Sequence, residues 1–189
     1  MGRELKLSGR LTLALLLLTF APASVPAQPP DDDRRSIRVA AGVVSQRGTF
    51  GDDHPQSSTS QFGSTFSFGI RRHRLRRVGL AFDAALEPTP IRNPHFDESV
   101  SRLYLQIGYE IGRRIYVRPT IGGTVNAWSG AFSASGLSLA PAASLAAGYQ
   151  QTLGGGWQLQ PEFVARGTAE IGAFTRSLGL QVAVSRRRW

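Results

Sequence analysis

Cysteine is absent from the sequence, and lysine occurs only once, at Lys6. A chain without cysteine cannot be held by disulfides, so an exported domain of this kind needs another source of cohesion, such as a closed hydrogen-bonded sheet. The sequence also lacks the ligand spacing of a zinc site and the glycine-rich loop that binds phosphates. It therefore predicts a protein without a cofactor.

Apolar runs long enough to cross a membrane as a helix are absent as well, so any membrane insertion must use strands. The longest apolar run, LTLALLLLTF at residues 11–20, is too short for a permanent transmembrane helix. Basic residues precede it, and the small residues of Val-Pro-Ala at 25–27 form a signal-peptidase site. This layout predicts a cleaved secretory signal peptide over residues 1–27 and disfavours the alternative, a buried N-terminal helix.

Acidic residues are outnumbered in the mature chain. Without the signal peptide, 22 basic residues fall to 19, all of them arginine, and 13 acidic residues fall to 12, which leaves a net charge of +7. Export argues against a nucleic-acid partner, and the arginines are not gathered on one face.

From residue 36 onward, apolar residues alternate with small or polar ones, and this period of two is typical of strands with two different faces. Residues 28–35 (QPPDDDRR) precede the pattern and predict a flexible lead-in. The alternation predicts eight strands, over residues 36–46, 62–70, 77–87, 100–111, 115–127, 137–150, 157–166 and 174–185. Pro119, Pro141 and Pro161 fall within these strands and remove hydrogen-bond donors, so we expect bulges or strand-end kinks there.

The connections between the predicted strands alternate in length. The longer loops are residues 47–61, 88–99, 128–136 and 167–173, and the short turns are residues 71–76, 112–114 and 151–156. Such alternation, with both termini on the short side, is typical of an outer-membrane barrel with periplasmic turns and extracellular loops. The sequence therefore predicts an all-β fold, a single up-and-down antiparallel transmembrane β-barrel of about eight strands over residues 36–189.

Arginine is concentrated at the short-turn end, which holds 12 of the 19 arginines of the mature chain. These are Arg34, Arg35, Arg71, Arg72, Arg74, Arg76, Arg77, Arg113, Arg114, Arg186, Arg187 and Arg188. They predict either contacts with phospholipid headgroups of the inner leaflet or a solvated basic rim.

The composition of the two faces distinguishes a membrane barrel from a soluble ligand-carrying barrel. A soluble barrel should carry a charged outer face, whereas the non-apolar face here is mostly Gly, Ala, Ser and Thr. This composition suits the tight lumen of a narrow barrel whose apolar face meets lipid. Tyr109, Tyr149 and Trp157 lie on the apolar face at the short-turn end and predict an inner aromatic girdle.

Eight charged residues point inward by the same parity: Arg38, Asp83, Glu87, Arg102, Glu110, Arg118, Glu162 and Arg166. An unpaired charge is costly in a narrow, low-dielectric interior, so the pattern predicts ion-pair networks that fill the lumen. The alternative is separate solvation of each charge by trapped water.

The expected heights of these charges follow from the turns. Counting across the 112–114 turn places Arg118 diagonal to Glu110 near the periplasmic end. Glu87 and Arg102 flank the second long loop in the same diagonal relation. Asp83 and Glu162 are expected between these two layers.

The pattern over residues 36–189 resembles the small outer-membrane barrels, the family of the outer-membrane protein A membrane domain and outer-membrane protein X. Its members commonly end in an aromatic residue recognised by the barrel-assembly machinery, and Trp189 occupies that position after the pattern Gly-Leu-Gln-Val at 179–182. Trp189 is out of register with the apolar positions before it, so either a bulge restores the register or the signal ends near Val184. The resemblance implies a monomer in the outer membrane, with membrane lipids and lipopolysaccharide as partners.

Three classes of function remain open. A structural or adhesive role at the cell surface is favoured over a narrow pore or small-ligand transporter, because side chains can fill an eight-stranded interior. The third class is a lipid-A-modifying or other barrel enzyme, for which His54 and His95 lie in loops that also hold acids and serines. The His-x-Ser-Asn pattern of a barrel deacylase is absent, and the adjacent Asp52, Asp53 and His54 cannot all face one metal ion. We therefore assign no catalytic, cofactor-binding or metal-binding residues.

Overall fold

A computed structural model of the chain describes residues 34–50, 57–75, 77–93, 98–130, 136–170 and 173–188. They form nine strands: β1 Arg34–Phe50, β2 Ser57–Leu75, β3 Val78–Asn93, β4 Glu98–Gly112, β5 Ile115–Gly130, β6 Gly136–Tyr149, β7 Gln151–Gly154, β8 Trp157–Glu170 and β9 Ala173–Arg188. None of these residues belongs to a helix long and apolar enough to cross a membrane. The predicted signal peptide lies outside the described residues. Most of the predicted lead-in does too, and β1 begins at Arg34, two residues earlier than the alternation indicates.

The sheet is antiparallel and closes on itself, because consecutive strands pair from β1 to β6, β6 and β7 both pair with β8, and β9 pairs with β8 and β1. The closure is staggered. A circuit of paired residues that leaves β1 at Arg38 returns to β1 at Gly48, ten residues further along. Such a stagger tilts the strands and leaves an eight-stranded barrel with an interior that side chains can fill. The all-β, up-and-down, eight-stranded barrel predicted from the sequence is thereby confirmed.

Polarity is inverted relative to a soluble protein, because large apolar side chains face outward and polar side chains are buried inside. On β4 the outward positions are apolar from Leu103 to Ile111, and the outward position before them is Ser101. On β9 the outward positions 178–184 are apolar and lie between Arg176 and Arg186. These belts span nine residues of β4 and seven of β9, close to the length that a tilted strand needs to cross the hydrocarbon core. The strands are therefore transmembrane strands.

Both termini of the described barrel lie at one end, here called the terminal end, where Arg35 pairs with Arg188. At the opposite, distal end the strands run past their predicted limits, so that only residues 51–56, 94–97, 131–135 and 171–172 separate them. Three of the four predicted long loops are therefore mostly strand, and the loop at 128–136 is strand at residues 128–130 and 136. Beyond the apolar belt the outward positions of β4 become serine and the inward Val100 is apolar, so the alternation that marks the strand is lost from the sequence although backbone pairing continues.

Pro119 and Pro161 each interrupt one ladder and leave the register unchanged. Opposite Pro119, the β4–β5 pairing lapses for two residues and resumes in the same register. Opposite Pro161, the pairing with β8 lapses between β6 and β7 and again resumes in register, so β6 and β7 form one interrupted strand. The bulges expected at these two positions are therefore wrong, and the missing N–H of proline accounts for each gap. Next to Pro141, the β6–β8 pairing ends at Ala142.

Candidate functional site in the barrel interior

Six charged side chains meet in the lumen near the terminal end. This terminal ion cluster comprises Arg38, Arg71, Asp83, Glu110, Arg118 and Glu162. Each comes from a different strand, because alternate residues of every strand point inward. Three guanidinium groups face three carboxylates, so the formal charge of the terminal ion cluster is zero.

Arg118 contacts all three carboxylates of this cluster. Its Nε lies 2.9 Å from Asp83 Oδ2, and its Nη1 lies 3.3 Å from Glu110 Oε2. Its Nη1 and Nη2 donate to the two oxygens of Glu162 at 3.0 and 3.1 Å. Such a bidentate pair of an arginine and a carboxylate is among the stronger hydrogen-bonded ion pairs in proteins.

The other two arginines complete the cluster. Arg38 donates to both oxygens of Glu162 and lies 4.0 Å from Asp83 Oδ1. Arg71 Nη2 lies 2.8 Å from Asp83 Oδ1, and its Nε lies 3.1 Å from Glu110 Oε2. Every arginine of the terminal ion cluster thus meets at least two carboxylates, and every carboxylate meets at least two arginines. Removal of any one member would leave the cluster with one uncompensated buried charge.

Arg71 is the member of this cluster that the sequence analysis misses. The predicted turn at 71–76 placed it on the basic rim, but β2 continues to Leu75 and the Arg71 side chain is buried in the lumen. Tyr116 and Gln181 are also missed, and both donate to the Glu162 carboxylate. All three have inward parity in the sequence, but the predicted lumen set includes only charged residues within the predicted strands.

The register of β4 with β5 also differs from the one predicted by counting across the turn at 112–114. Gly112 pairs with Tyr116 and so belongs to β4 rather than to the turn. The register on both sides of the Pro119 gap therefore places Glu110 directly opposite Arg118, not diagonal to it. Glu87 and Arg102 are likewise directly opposite each other.

A neutral layer separates the terminal ion cluster from the charges nearer the distal end. Gln106 Oε1 accepts a hydrogen bond from Thr120 Oγ1 at 3.2 Å and another from Ser144 Oγ at 2.7 Å. These groups fill the lumen with polar atoms that carry no charge.

Glu87, Arg102 and Arg166 form a second group, the distal ion cluster. Glu87 Oε1 accepts hydrogen bonds from Arg166 Nη1 at 3.1 Å and from Ser177 Oγ at 2.7 Å. The Arg166 guanidinium carbon lies 5.7 Å from the ring centroid of Tyr104. Arg102 Nη2 lies 3.9 Å from Glu87 Oε2, within ion-pair range but beyond hydrogen-bond range.

All eight charged residues predicted for the lumen are buried in it, and the structure gathers them into two clusters. Asp83 and Glu162, expected at an intermediate height, belong to the terminal ion cluster instead. In the described barrel, two layers of charges and one layer of neutral polar groups thus occupy the lumen in succession.

Comparison with known proteins gives a fold and no sequence relative. No protein-family model matches the sequence, and no curated protein matches it. The crystal structure of neisserial surface protein A (NspA) matches with a TM-score of 0.53 at 12% identity, covering 79% of this chain and 96% of that chain. Ail, the attachment invasion locus protein of Yersinia pestis, in complex with the heparin analogue sucrose octasulfate, matches with a TM-score of 0.53 at 11% identity, covering 80% and 98%. The chain has the fold of the small eight-stranded outer-membrane β-barrels.

Aromatic residues of this outer-membrane-type barrel lie outward near its terminal end. Tyr109 and Trp157 are exposed and Tyr149 is half-buried, and each lies within a few residues of the terminal end of its strand. The Arg186 guanidinium carbon lies 5.3 Å from the centroid of the Trp157 ring. The three residues predicted to form the inner girdle thus occupy the outward positions that such a girdle requires.

Trp189, the predicted assembly signal, lies outside the described residues, as do the loop residues His54 and His95. β9 pairs with β1 without a bulge as far as Arg188, so no bulge restores the register within residues 173–188. Within the described ranges, no group of His, Cys, Asp and Glu side chains could hold a metal ion.

Proposed function

We propose that the protein resides in the outer membrane of a Gram-negative-type envelope and has a structural or adhesive role there, acting through its surface. The observation that carries this proposal is the filled lumen. The terminal ion cluster, the Gln106 layer and the distal ion cluster follow one another along the barrel axis. An eight-stranded interior filled in this way offers no water-filled path, which disfavours a pore.

The outward surface beyond the belt supports a surface role. At the distal end Ser60, Ser99, Ser101 and Ser129 continue the outward positions above the apolar belt. Ser99 and Ser129 lie side by side on β4 and β5, with their Oγ atoms 2.8 Å apart. A continuous sheet holds such hydroxyls at fixed spacing, which is suited to recognition of a polar partner. In this proposal the distal end faces outward and the terminal end, which carries the short turns and both termini of the described barrel, faces the periplasm.

Two arginines at the distal edge of the belt suggest lipopolysaccharide as a neighbour. Arg47 of β1 and Arg176 of β9 pair directly across the strands and are both exposed. Two exposed guanidinium groups held side by side can together donate hydrogen bonds to one phosphate group. Arg176 is the outward residue next to the apolar positions 178–184 on their distal side, and this is the level expected for the lipid headgroups. We therefore propose a phosphate of the outer leaflet as the ligand of this pair.

The names of the matched structures accord with this role. One is called a surface protein and the other an attachment invasion locus protein. Those names describe those two proteins, and the proposal for this chain rests on its filled lumen and its polar outer wall.

Fractionation and gene deletion together test the proposal. We expect the mature protein in the outer-membrane fraction, with the heat-modifiable gel mobility of a β-barrel. Deletion of the gene should change adherence or the permeability of the envelope to dyes and detergents, and the wild-type gene should restore it. Recovery in the soluble periplasm, or a deletion strain unaltered in both properties, would overturn the proposal.

A further inference from the structure

Arg102 is buried without hydrogen bonds in the distal half of the lumen. Only 1% of its surface is exposed, and none of its three side-chain nitrogens has a hydrogen-bond partner. The other buried side-chain atoms without a partner, within the described ranges, are single amide atoms of Gln106, Gln160 and Gln181. Arg102 is therefore the one charged group of the described lumen that lacks hydrogen bonds altogether.

The nearest carboxylate cannot supply them, because its acceptor positions are already taken. Glu87 Oε1 accepts from Arg166 and Ser177, at 3.1 and 2.7 Å. Glu87 Oε2 accepts from Gln46 Nε2 at 3.2 Å and from Tyr104 Oη at 3.4 Å. A carboxylate offers about four lone-pair positions, and these four donors fill them. Arg102 is left at 3.9 Å with an electrostatic contact only.

Among the described residues, the distal half of the lumen also has fewer carboxylates than arginines. The terminal ion cluster pairs three arginines with three carboxylates, whereas the described distal ion cluster sets Arg102 and Arg166 against Glu87 alone. The distal ion cluster thus carries one excess positive charge in a low-dielectric interior, where an uncompensated charge is unfavourable. One bound monoanion would balance it.

The surroundings of Arg102 specify the rest of such a ligand. On the distal side, the next inward positions are apolar: Ile91 and Val100 are buried against each other, and Trp128 packs on them. The pairing of the strands places Val100 opposite both Ile91 and Trp128. A planar guanidinium fork below an apolar layer suits a carboxylate attached to an apolar body.

The wall beside Arg102 has a gap in its backbone hydrogen bonding. Residues 88–90 of β3 (Pro-Thr-Pro) pair with neither neighbouring strand, because Pro88 and Pro90 have no N–H. Side chains take over there: Ser101 Oγ donates to the Pro88 carbonyl at 3.1 Å, and Gln61 donates to that of Pro90. A segment held by a few side-chain bonds opens more readily than a continuous ladder, so it offers a route from the edge of the belt to Arg102.

We propose that Arg102 binds the carboxylate of an amphiphilic monoanion, a carboxylate on an aliphatic chain, in the distal half of the lumen. The ligand enters past residues 88–90, and its chain lies against the Ile91–Val100–Trp128 layer. Its negative charge completes the distal ion cluster. This site lies inside the barrel and does not depend on the surface role proposed above.

Octanoate is a suitable probe, with octanol as the uncharged compound of equal chain length. The mature protein in a non-ionic detergent should show a saturable rise in Tm with octanoate and no comparable rise with octanol, since a ligand that binds only the folded state stabilises it. Arg102→Gln should abolish the octanoate effect. Arg92→Gln, which changes an exposed arginine of β3 near the same end, should retain it. An octanoate effect that is absent in the wild type, matched by octanol, or retained in Arg102→Gln would overturn the proposal.

A second measurement locates the ligand and does not require the Arg102 variant to fold. A brominated octanoate quenches tryptophan fluorescence at short range, and Trp128 is the tryptophan that packs on the proposed site. We expect quenching in the wild type and in Trp157→Phe, and loss of most of it in Trp128→Phe. Quenching that survives in Trp128→Phe would place the carboxylate elsewhere and overturn the proposal.

Discussion

Arg118 donates two parallel hydrogen bonds to Glu162, at 3.0 and 3.1 Å, although the two residues lie on strands that are not neighbours. β6 stands between β5, which carries Arg118, and β8, which carries Glu162. The pair therefore links strands across the interior, in addition to the backbone ladders of the wall. Because both side chains are buried, neither charge has water to replace the other.

Truncation of Arg118 should destabilise the barrel strongly. Arg118→Ala leaves Asp83, Glu110 and Glu162 short of a buried counter-charge, which we expect to lower the free energy of unfolding by about 3–5 kcal/mol. Arg77→Ala, an exposed arginine near the β2–β3 turn, should change it by no more than about 0.5 kcal/mol. Urea unfolding in lipid vesicles, followed by tryptophan fluorescence, measures both. Equal effects of the two substitutions would show that the interior charges are solvated separately.

A double-mutant cycle should show that Arg118 and Glu162 act as a pair. Arg118→Met and Glu162→Gln should together cost less than the sum of the two single changes, with a coupling energy of about 0.5–3 kcal/mol. The same unfolding assay gives all four values. Strict additivity would mean that the bidentate contact contributes nothing to stability.

The alternation of residue types predicted the face of nearly every charged lumen residue but not where strands end. Arg38, Glu110 and Arg118 lie between apolar neighbours, so their parity could be read directly from the sequence. Arg71 stands at the start of a run of basic residues, where both faces of β2 become polar and the period of two is lost. A polar stretch of strand and a polar turn look alike in sequence, although their backbone hydrogen bonding differs.

Register was the second feature that the sequence left open. The diagonal relation between Glu110 and Arg118 followed from the assumption that Gly112 belongs to the turn, whereas it pairs with Tyr116 in the sheet. Moving Gly112 from the turn into the strand shifts every pairing partner by two residues. Different side chains then face each other, but each side chain stays on the same face of the sheet. The unpartnered state of Arg102 could not be predicted either, because it depends on four other side chains that satisfy Glu87.

Gly112 should be intolerant of a side chain. Its φ of +123° lies in a region that other residues rarely adopt, and a Cβ there would meet the carbonyl oxygen of Ile115. We expect Gly112→Ala to cost about 1–3 kcal/mol of stability. Gly123→Ala is the matched control, because a Cβ there meets only the Ala140 carbonyl oxygen at 3.6 Å. Thermal unfolding of the two variants in detergent compares them, and equal Tm values would refute the strain at Gly112.

The wild-type barrel should show no steady ionic conductance in planar lipid bilayers. Two layers of charges with a neutral layer between them occupy the lumen, and an ion would have to break their contacts to pass. Single-channel recording at physiological salt, with a known wide porin as the positive control, makes the measurement. A stable open level would defeat the filled-lumen interpretation and make a pore the leading function.

The orientation proposed for the barrel can be tested by cysteine labelling, since the natural chain has no cysteine to give a background. Ser60→Cys and Ser129→Cys place a thiol on exposed positions near the distal end, and Arg77→Cys and Arg114→Cys place one on exposed positions near the terminal end. In intact cells, a maleimide that cannot cross membranes should label the first pair and spare the second. The second pair lies at the short turns of the terminal end, which face the periplasm in the proposed orientation. After permeabilisation, all four should be labelled, which controls for folding and access. Labelling of Arg77→Cys and Arg114→Cys in intact cells, with Ser60→Cys and Ser129→Cys protected, would mean that the barrel is inserted the other way round.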